Sequence, residues 1–121
     1  MSYSELFLGH FEHPRHVGVL DLRDPNVRVV AWRSRDGSES IQYHVLIDQG
    51  YVKKVAWKAL GNPSTIAACS WVSEWLLERS CEEARALKAE LIIIALELPQ
   101  TRFASALWVE AIVHELLGEK Q

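Results

Sequence analysis

The sequence predicts an α+β fold, a three-stranded antiparallel sheet covered by helices on one face. Strand-like alternation is confined to residues 27–60, and from residue 63 onward the apolar period becomes helical. Between the two regimes stands Gly61-Asn62-Pro63, a helix-start signature. Asn is a favoured N-cap, and Pro at the first helical position loses no hydrogen bond. There is no internal repeat and no linker, so residues 1–121 read as one domain.

Taken in order, "YSELFLGHF" (3–11) suits a short amphipathic helix with Ser4 near its start. The stretch "EHPRHVGVLDLRDPN" holds two prolines and a glycine and is expected as a structured, extended loop. Val27–Arg33 reads as the first strand, and "SRDGSES" as a polar turn. In "IQYHVLID", Ile41, Tyr43, Val45 and Ile47 share one face, leaving Gln42, His44, Leu46 and Asp48 on the other. Asp48-Gln49-Gly50 is a short turn into "YVKKVAWKAL". That strand places Val52, Lys54, Ala56 and Lys58 opposite Tyr51, Lys53, Val55 and Trp57.

The helical half begins at Pro63, with Ile66, Cys69, Val72 (or Ser73) and Leu76 as its stripe, flanked by Trp71 and Trp75. Ser80 and Glu83 have capping-box spacing and open a short helix over Cys81–Lys88. "AELIIIALEL" is a third helical segment, ended by Pro99. "TRFASALWVEAIVHELL" is a final amphipathic helix closing at Gly118.

Bulk properties exclude several classes. A chain of 121 residues, 49% hydrophobic, folds without disulfides or metal. The net charge of −3 offers no electrostatic footing for nucleic acid. No apolar run of about 18 residues exists to span a membrane. The first residues lack the basic-then-apolar order of a signal peptide, so a cytoplasmic location is expected. Cys69 and Cys81 are too few for a disulfide framework and lack CxxC spacing.

Several motifs in register resemble the U-type iron–sulfur cluster scaffold proteins, the NifU/IscU-like family. They are "HFEHPRHVGVLD", the hairpin "IQYHVLIDQGYVKKVAWKALG", the small-residue helix "STIAACSWVSEWL", "CEEARAL", and the closing "LP…AIVHELL". The resemblance spans nearly the whole chain. It implies a [2Fe–2S] cluster or zinc held on three cysteines and an Asp, with a His beside the third cysteine. Carried over, the first cysteine falls on Gly37, its Asp on Glu39, and the second cysteine on Asn62. The His and the third cysteine fall on Ala104 and Ser105. No thiol remains at any of these places.

Iron–sulfur clusters need soft thiolate ligands, which amide and hydroxyl oxygens do not replace. Neither a cluster nor zinc is therefore expected here. The resemblance also implies a chaperone-recognised Leu-Pro-Pro-Val-Lys segment before the third cysteine. Here it reads Leu98, Pro99, Gln100, Thr101, Arg102, keeping Leu, Pro and a basic end.

Other candidates carry less. His10, His13 and His16 have suggestive spacing, but Pro14 interrupts any helix there, so they read as structural or surface groups. Cys69 reads as a buried small thiol and Cys81 as an ordinary first-turn residue. Nothing orients Ser105, His114 and Glu110 into a hydrolytic set, and no phosphate loop is present, so no enzyme is expected. Of five tryptophans, Trp57 and Trp75 read as core. For Trp32, Trp71 and Trp108 two explanations stand: aromatic bulk refilling a vacated metal site, or a protein-binding or homodimer patch.

The expected role is a scaffold homologue without thiolate ligands, an accessory or regulatory module in iron–sulfur assembly. Its expected partners are a cysteine desulfurase, another scaffold or itself, with Leu98, Pro99, Arg102 and Trp108 as binding residues. The alternatives are a scaffold holding iron or zinc through atypical ligands, and an interaction domain unrelated to iron–sulfur clusters.

Overall fold

The structure is a computed structural model that describes residues 3–118. It contains α1 (Glu5–Glu12), β1 (Val27–Arg33), β2 (Ser40–Asp48), β3 (Tyr51–Leu60), α2 (Pro63–Leu76), α3 (Cys81–Ala84), α4 (Ala89–Leu96), a 3₁₀ turn (Gln100–Arg102) and α5 (Phe103–Leu117). The strands form one antiparallel sheet in the order β1-β2-β3. Tyr43 pairs with Trp57 on one side and Val30 on the other, and these three fill the face that meets the helices. Tyr43 Oη donates to the Cys69 carbonyl at 2.7 Å, pinning the centre of α2 to the middle strand.

The hairpin departs from simple alternation. Leu46 pairs with Lys54 but Ile47 with Val52, so β3 carries one extra residue, Lys53, at a bulge. Strict alternation expects Val52 on the face opposite Val55 and Trp57. The bulge brings all three to the core side, and each is buried.

His44 also differs from expectation. It lies on the face away from the helices, yet it is only 2% exposed. The segment between α1 and β1 explains this. Val17 forms a parallel bridge to Trp57 along the β3 edge, with Gly18 N–H on the Trp57 carbonyl and Trp57 N–H on that of His16. The chain then crosses the outer face toward β1, and Leu20 N–H donates to His44 Nδ1 at 2.9 Å on the way. This strap shields His44 and Ala56 from solvent.

On the helical side, Ser4 caps α1 through Phe7 N–H at 3.1 Å, and α1 buries Phe7 and His10. The helix α3 has the expected capping box of Ser80 and Glu83 but stops at Ala84, short of Lys88. Turn-type bonds, Ala86 N–H to Glu83 and Leu87 N–H to Ala84, then drop Leu87 into the core. No local cap stands before α4; instead Glu110 reaches across from α5 and accepts Ala89 N–H at 2.9 Å. That helix ends with Glu97 in the left-handed region (φ +53°), with Glu97 N–H on Ile94 and Leu98 N–H on Ile93. This is the double-bonded C-terminal motif that usually takes Gly. Gly118 closes α5 at φ +69°.

Candidate functional site

Four oxygen-bearing side chains converge where the start of β2, the β3–α2 junction and the start of α5 meet. Asn62 sits in extended backbone just before α2, and its Oδ1 accepts Ser64 N–H at 2.8 Å and Thr65 N–H at 3.2 Å. Its Nδ2 donates to Glu39 Oε2 at 2.5 Å. The other carboxylate oxygen accepts the Thr65 hydroxyl. Since that hydroxyl spends its proton on Glu39, the 3.0 Å contact between Thr65 and Ser105 has Ser105 donating. A proton-ordered chain thus runs from Ser105 through Thr65 to Glu39.

Glu39 reaches this place for local reasons. It precedes β2 on the parity of Ile41 and Tyr43, so it faces the helices. Its backbone is clamped twice by Ser34, whose N–H binds the Glu39 carbonyl at 2.8 Å and whose Oγ accepts Glu39 N–H at 3.0 Å. Asp36 folds the turn by accepting Ser34 Oγ, Ser38 Oγ and Ser38 N–H, which lowers its carboxyl pKa to about 2. The missing side chain of Gly61 leaves room for the carboxylate, because a Cβ there would collide with Glu39 Oε1.

Not every position in the inferred ligand set joins the cluster. Glu39, Asn62 and Ser105 come together, with Thr65, which the sequence reading missed, as the link between them. Gly37 lies at the turn tip at φ +79°, exposed, and a Cβ there would meet nothing within 4 Å. Ala104 is exposed on α5, one position before buried Ser105. A sequence signal for Thr65 does exist: it lies three residues past the Asn cap, where a helix brings side chains back to the cap.

The nearest thiol, Cys69, lies one turn beyond Thr65 and is fully buried. Burial, and secondarily the charge of Glu39, push its pKa far above the ordinary thiol value. It stays a thiol, which neither ligates nor attacks. Among the described residues, no group of three or more His, Cys, Asp or Glu side chains is placed to hold a metal ion. The donors at the cluster are one carboxylate, one amide and two hydroxyls, already engaged with each other or with α2. Such a set does not fit a [2Fe–2S] cluster or a zinc site.

The other singled-out residues are structural or peripheral. His10 Nδ1 lies 2.7 Å from Ser70 Oγ, which also accepts Arg15 N–H at 2.9 Å, and His10 Nε2 is 3.7 Å from Glu74. Ser70 is sealed from solvent, so this grouping ties the strap to α2 and offers no nucleophile. Leu98 is buried as the hydrophobic partner of the α4 terminus, whereas Arg102 is exposed. Trp32 and Trp108 are half-buried and lie against each other, ring centroids 4.6 Å apart, at the β1 edge. Trp71 and Trp75 are half-buried on α2, Trp75 under the Arg79 guanidinium at 4.0 Å.

A three-stranded sheet with helices on one face, and a polar cluster at the strand–helix junction, defines an α+β domain. The chain belongs to the NifU-like N-terminal domain family, whose profile matches residues 2–117. It is 32% identical over 120 residues to the iron–sulfur cluster assembly scaffold protein IscU of Haemophilus influenzae, covering 98% of this chain and 95% of that protein. It is 30% identical to IscU of Escherichia coli K12 over the same length, covering 98% and 94%. Among solved structures, it is similar to an N-terminal NifU-like protein of Brucella abortus (TM-score 0.61, 16% identity, covering 94% and 79%). It is likewise similar to a SUF-system scaffold candidate of Fervidobacterium islandicum (TM-score 0.69, 12% identity, covering 96% of each chain). At these identities the structures establish the fold. Among the described residues no helix is long and apolar enough to cross a membrane.

Proposed function

We propose that this chain is a scaffold homologue whose cluster-ligand site has been converted into a closed hydrogen-bonded structural element. It serves iron–sulfur assembly as an accessory or regulatory protein-binding module, not as an enzyme. The observation that carries this reading is the mutual hydrogen bonding of Glu39, Asn62, Thr65 and Ser105. An open ligand site keeps unpaired donors facing a space for the ion; here the single carboxylate is bound at both oxygens.

The relatives' role as assembly scaffolds supports the setting. The partners proposed are a cysteine desulfurase, an active scaffold or a second copy of the chain. Two measurements test the reading. Elemental analysis of gently purified protein is expected to find no stoichiometric iron, sulfide or zinc, and near-stoichiometric metal would favour a scaffold with atypical ligands. Calorimetric titration against the host's desulfurase and its cysteine-bearing scaffold is expected to detect binding to one of them. Silence with both, together with no effect on cluster assembly in vitro, would overturn the accessory role.

A further inference from the structure

We infer that a second copy of this chain pairs along the free edge of β1, extending two sheets into one continuous six-stranded sheet. The inference deepens the protein-binding reading by naming one partner, and its readout, mass, is separate from metal content.

The backbone parity of β1 is fixed by two bonds at its ends. Ile47 N–H binds the Asn26 carbonyl, and Ser34 N–H binds the Glu39 carbonyl. Both bonds join directly opposite residues in the β1–β2 register, so even-numbered residues of this stretch bond to β2. The odd-numbered Val27, Val29, Ala31 and Arg33 therefore turn their N–H and C=O groups to the free edge. Only Val27 N–H has another partner among the described residues, the Asp24 carbonyl at 3.0 Å. β3 by contrast is flanked by the Val17 and Ser80 bridges.

The edge carries few of the devices that keep such strands solitary, its only charges being Arg28 and Arg33. It contains no Pro, no Lys and no bulge. Arg28 is exposed but donates to the Leu116 carbonyl of α5 at 3.0 Å, and Val29 is 41% exposed.

Self-pairing satisfies the edge. In an antiparallel two-fold pair centred on Val30, Val29 meets Ala31 of the other copy, and Val27 meets its Arg33. Every outward-facing residue is then opposite another. Arg28 meets Trp32 in the closer, non-hydrogen-bonded type of pair, on the face where Trp32 lies against Trp108. No like charges oppose each other, and each cation meets an apolar or aromatic partner. Such an interface is isologous and closes at two copies.

The test uses the full chain. Sedimentation equilibrium from micromolar to millimolar concentration is expected to show a monomer–dimer equilibrium. Amide exchange should show concentration-dependent protection at Val29, Ala31 and Arg33. Ala31→Pro removes an N–H that the monomer does not use, so its melting transition should survive while self-association weakens by about tenfold or more. A monomer throughout the range would overturn the inference. So would a dimer that Ala31→Pro leaves intact, or a dimer whose concentration-dependent protection falls on another surface. The exchange pattern of the unmodified chain decides even if the proline variant fails to fold.

Discussion

At the scale of single residues, Asn62 joins the two halves of the molecule. Its helix-cap role is local, written in the Gly-Asn-Pro order, and was legible without the fold. Its second bond, to Glu39, depends on how β2 and α2 meet, which no local pattern encodes. Asn62→Ala is therefore expected to cost more than the usual cap loss of about 1 kcal/mol, because the half-buried Glu39 carboxylate also loses a donor. Denaturant melts check this, with Ser4→Ala, a cap without such a second bond, as the comparison. The two thiols should separate in the same way. Burial and the Glu39 charge hold Cys69 protonated, whereas Cys81 is half-exposed at the start of α3. Native alkylation followed by mass spectrometry should label Cys81 alone, and rapid labelling of Cys69 would mean that the α2 core opens readily.

At the scale of elements, the strands and helices were legible because their periods differ, and the errors came from departures that leave no periodic trace. The Lys53 bulge puts Val52 on the core side. The cap of α4 comes from Glu110, far along the chain. The turn before β2 bears most on the site. The resemblance puts the first cysteine on Gly37 and its Asp on Glu39; of these two positions Glu39 reaches Asn62, while Gly37 is exposed in the left-handed region. A rebuilt thiolate site should therefore use Glu39→Cys with Asn62→Cys and Ser105→Cys. Replacing Gly37 in place of Glu39 should bind zinc more weakly, since its thiol starts in open space and its backbone resists a side chain by roughly 1–2 kcal/mol. Zinc titration with a chromophoric competitor ranks the two triple variants. Equal affinities would mean that the 34–39 turn rearranges to bring either position to the site.

At the scale of the whole molecule, the outer face of the sheet is where sequence reading and structure diverge most. Alternation puts His44 on the face away from Tyr43, where the strap from α1 to β1 covers it, and no periodicity announces a covering segment that has no regular structure. That cover has a consequence for pH. Burial, helped by nearby Lys58, lowers the pKa of His44 below 6.5. Its Nδ1 accepts Leu20 N–H and so must be unprotonated, while Nε2 is buried without a hydrogen-bond partner among the described residues. On the opposite side His10, on the buried face of α1, is lowered by burial and by Arg15, against a raising contribution from Glu74. For both, the unfolded chain binds the proton first as pH falls, so unfolding takes up protons just below pH 6.5. Stability is therefore expected to be full above that value and to fall as pH drops through the gap between each unfolded and folded pKa. The depressed carboxyls, Asp36 above all, act in a separate, more acidic window, from the ordinary carboxylate range down to about 2. Urea melts stepped from about pH 7.5 to 5 should thus show a decline attributable to histidine, and His44→Phe should flatten part of it. Because protonation opposes the Leu20 bond, the strap should loosen first. Amide exchange at Leu20 and Gly18 ought to accelerate in that range before the helical core does, and simultaneous loss of protection in strap and core would show that His44 titrates only on global unfolding.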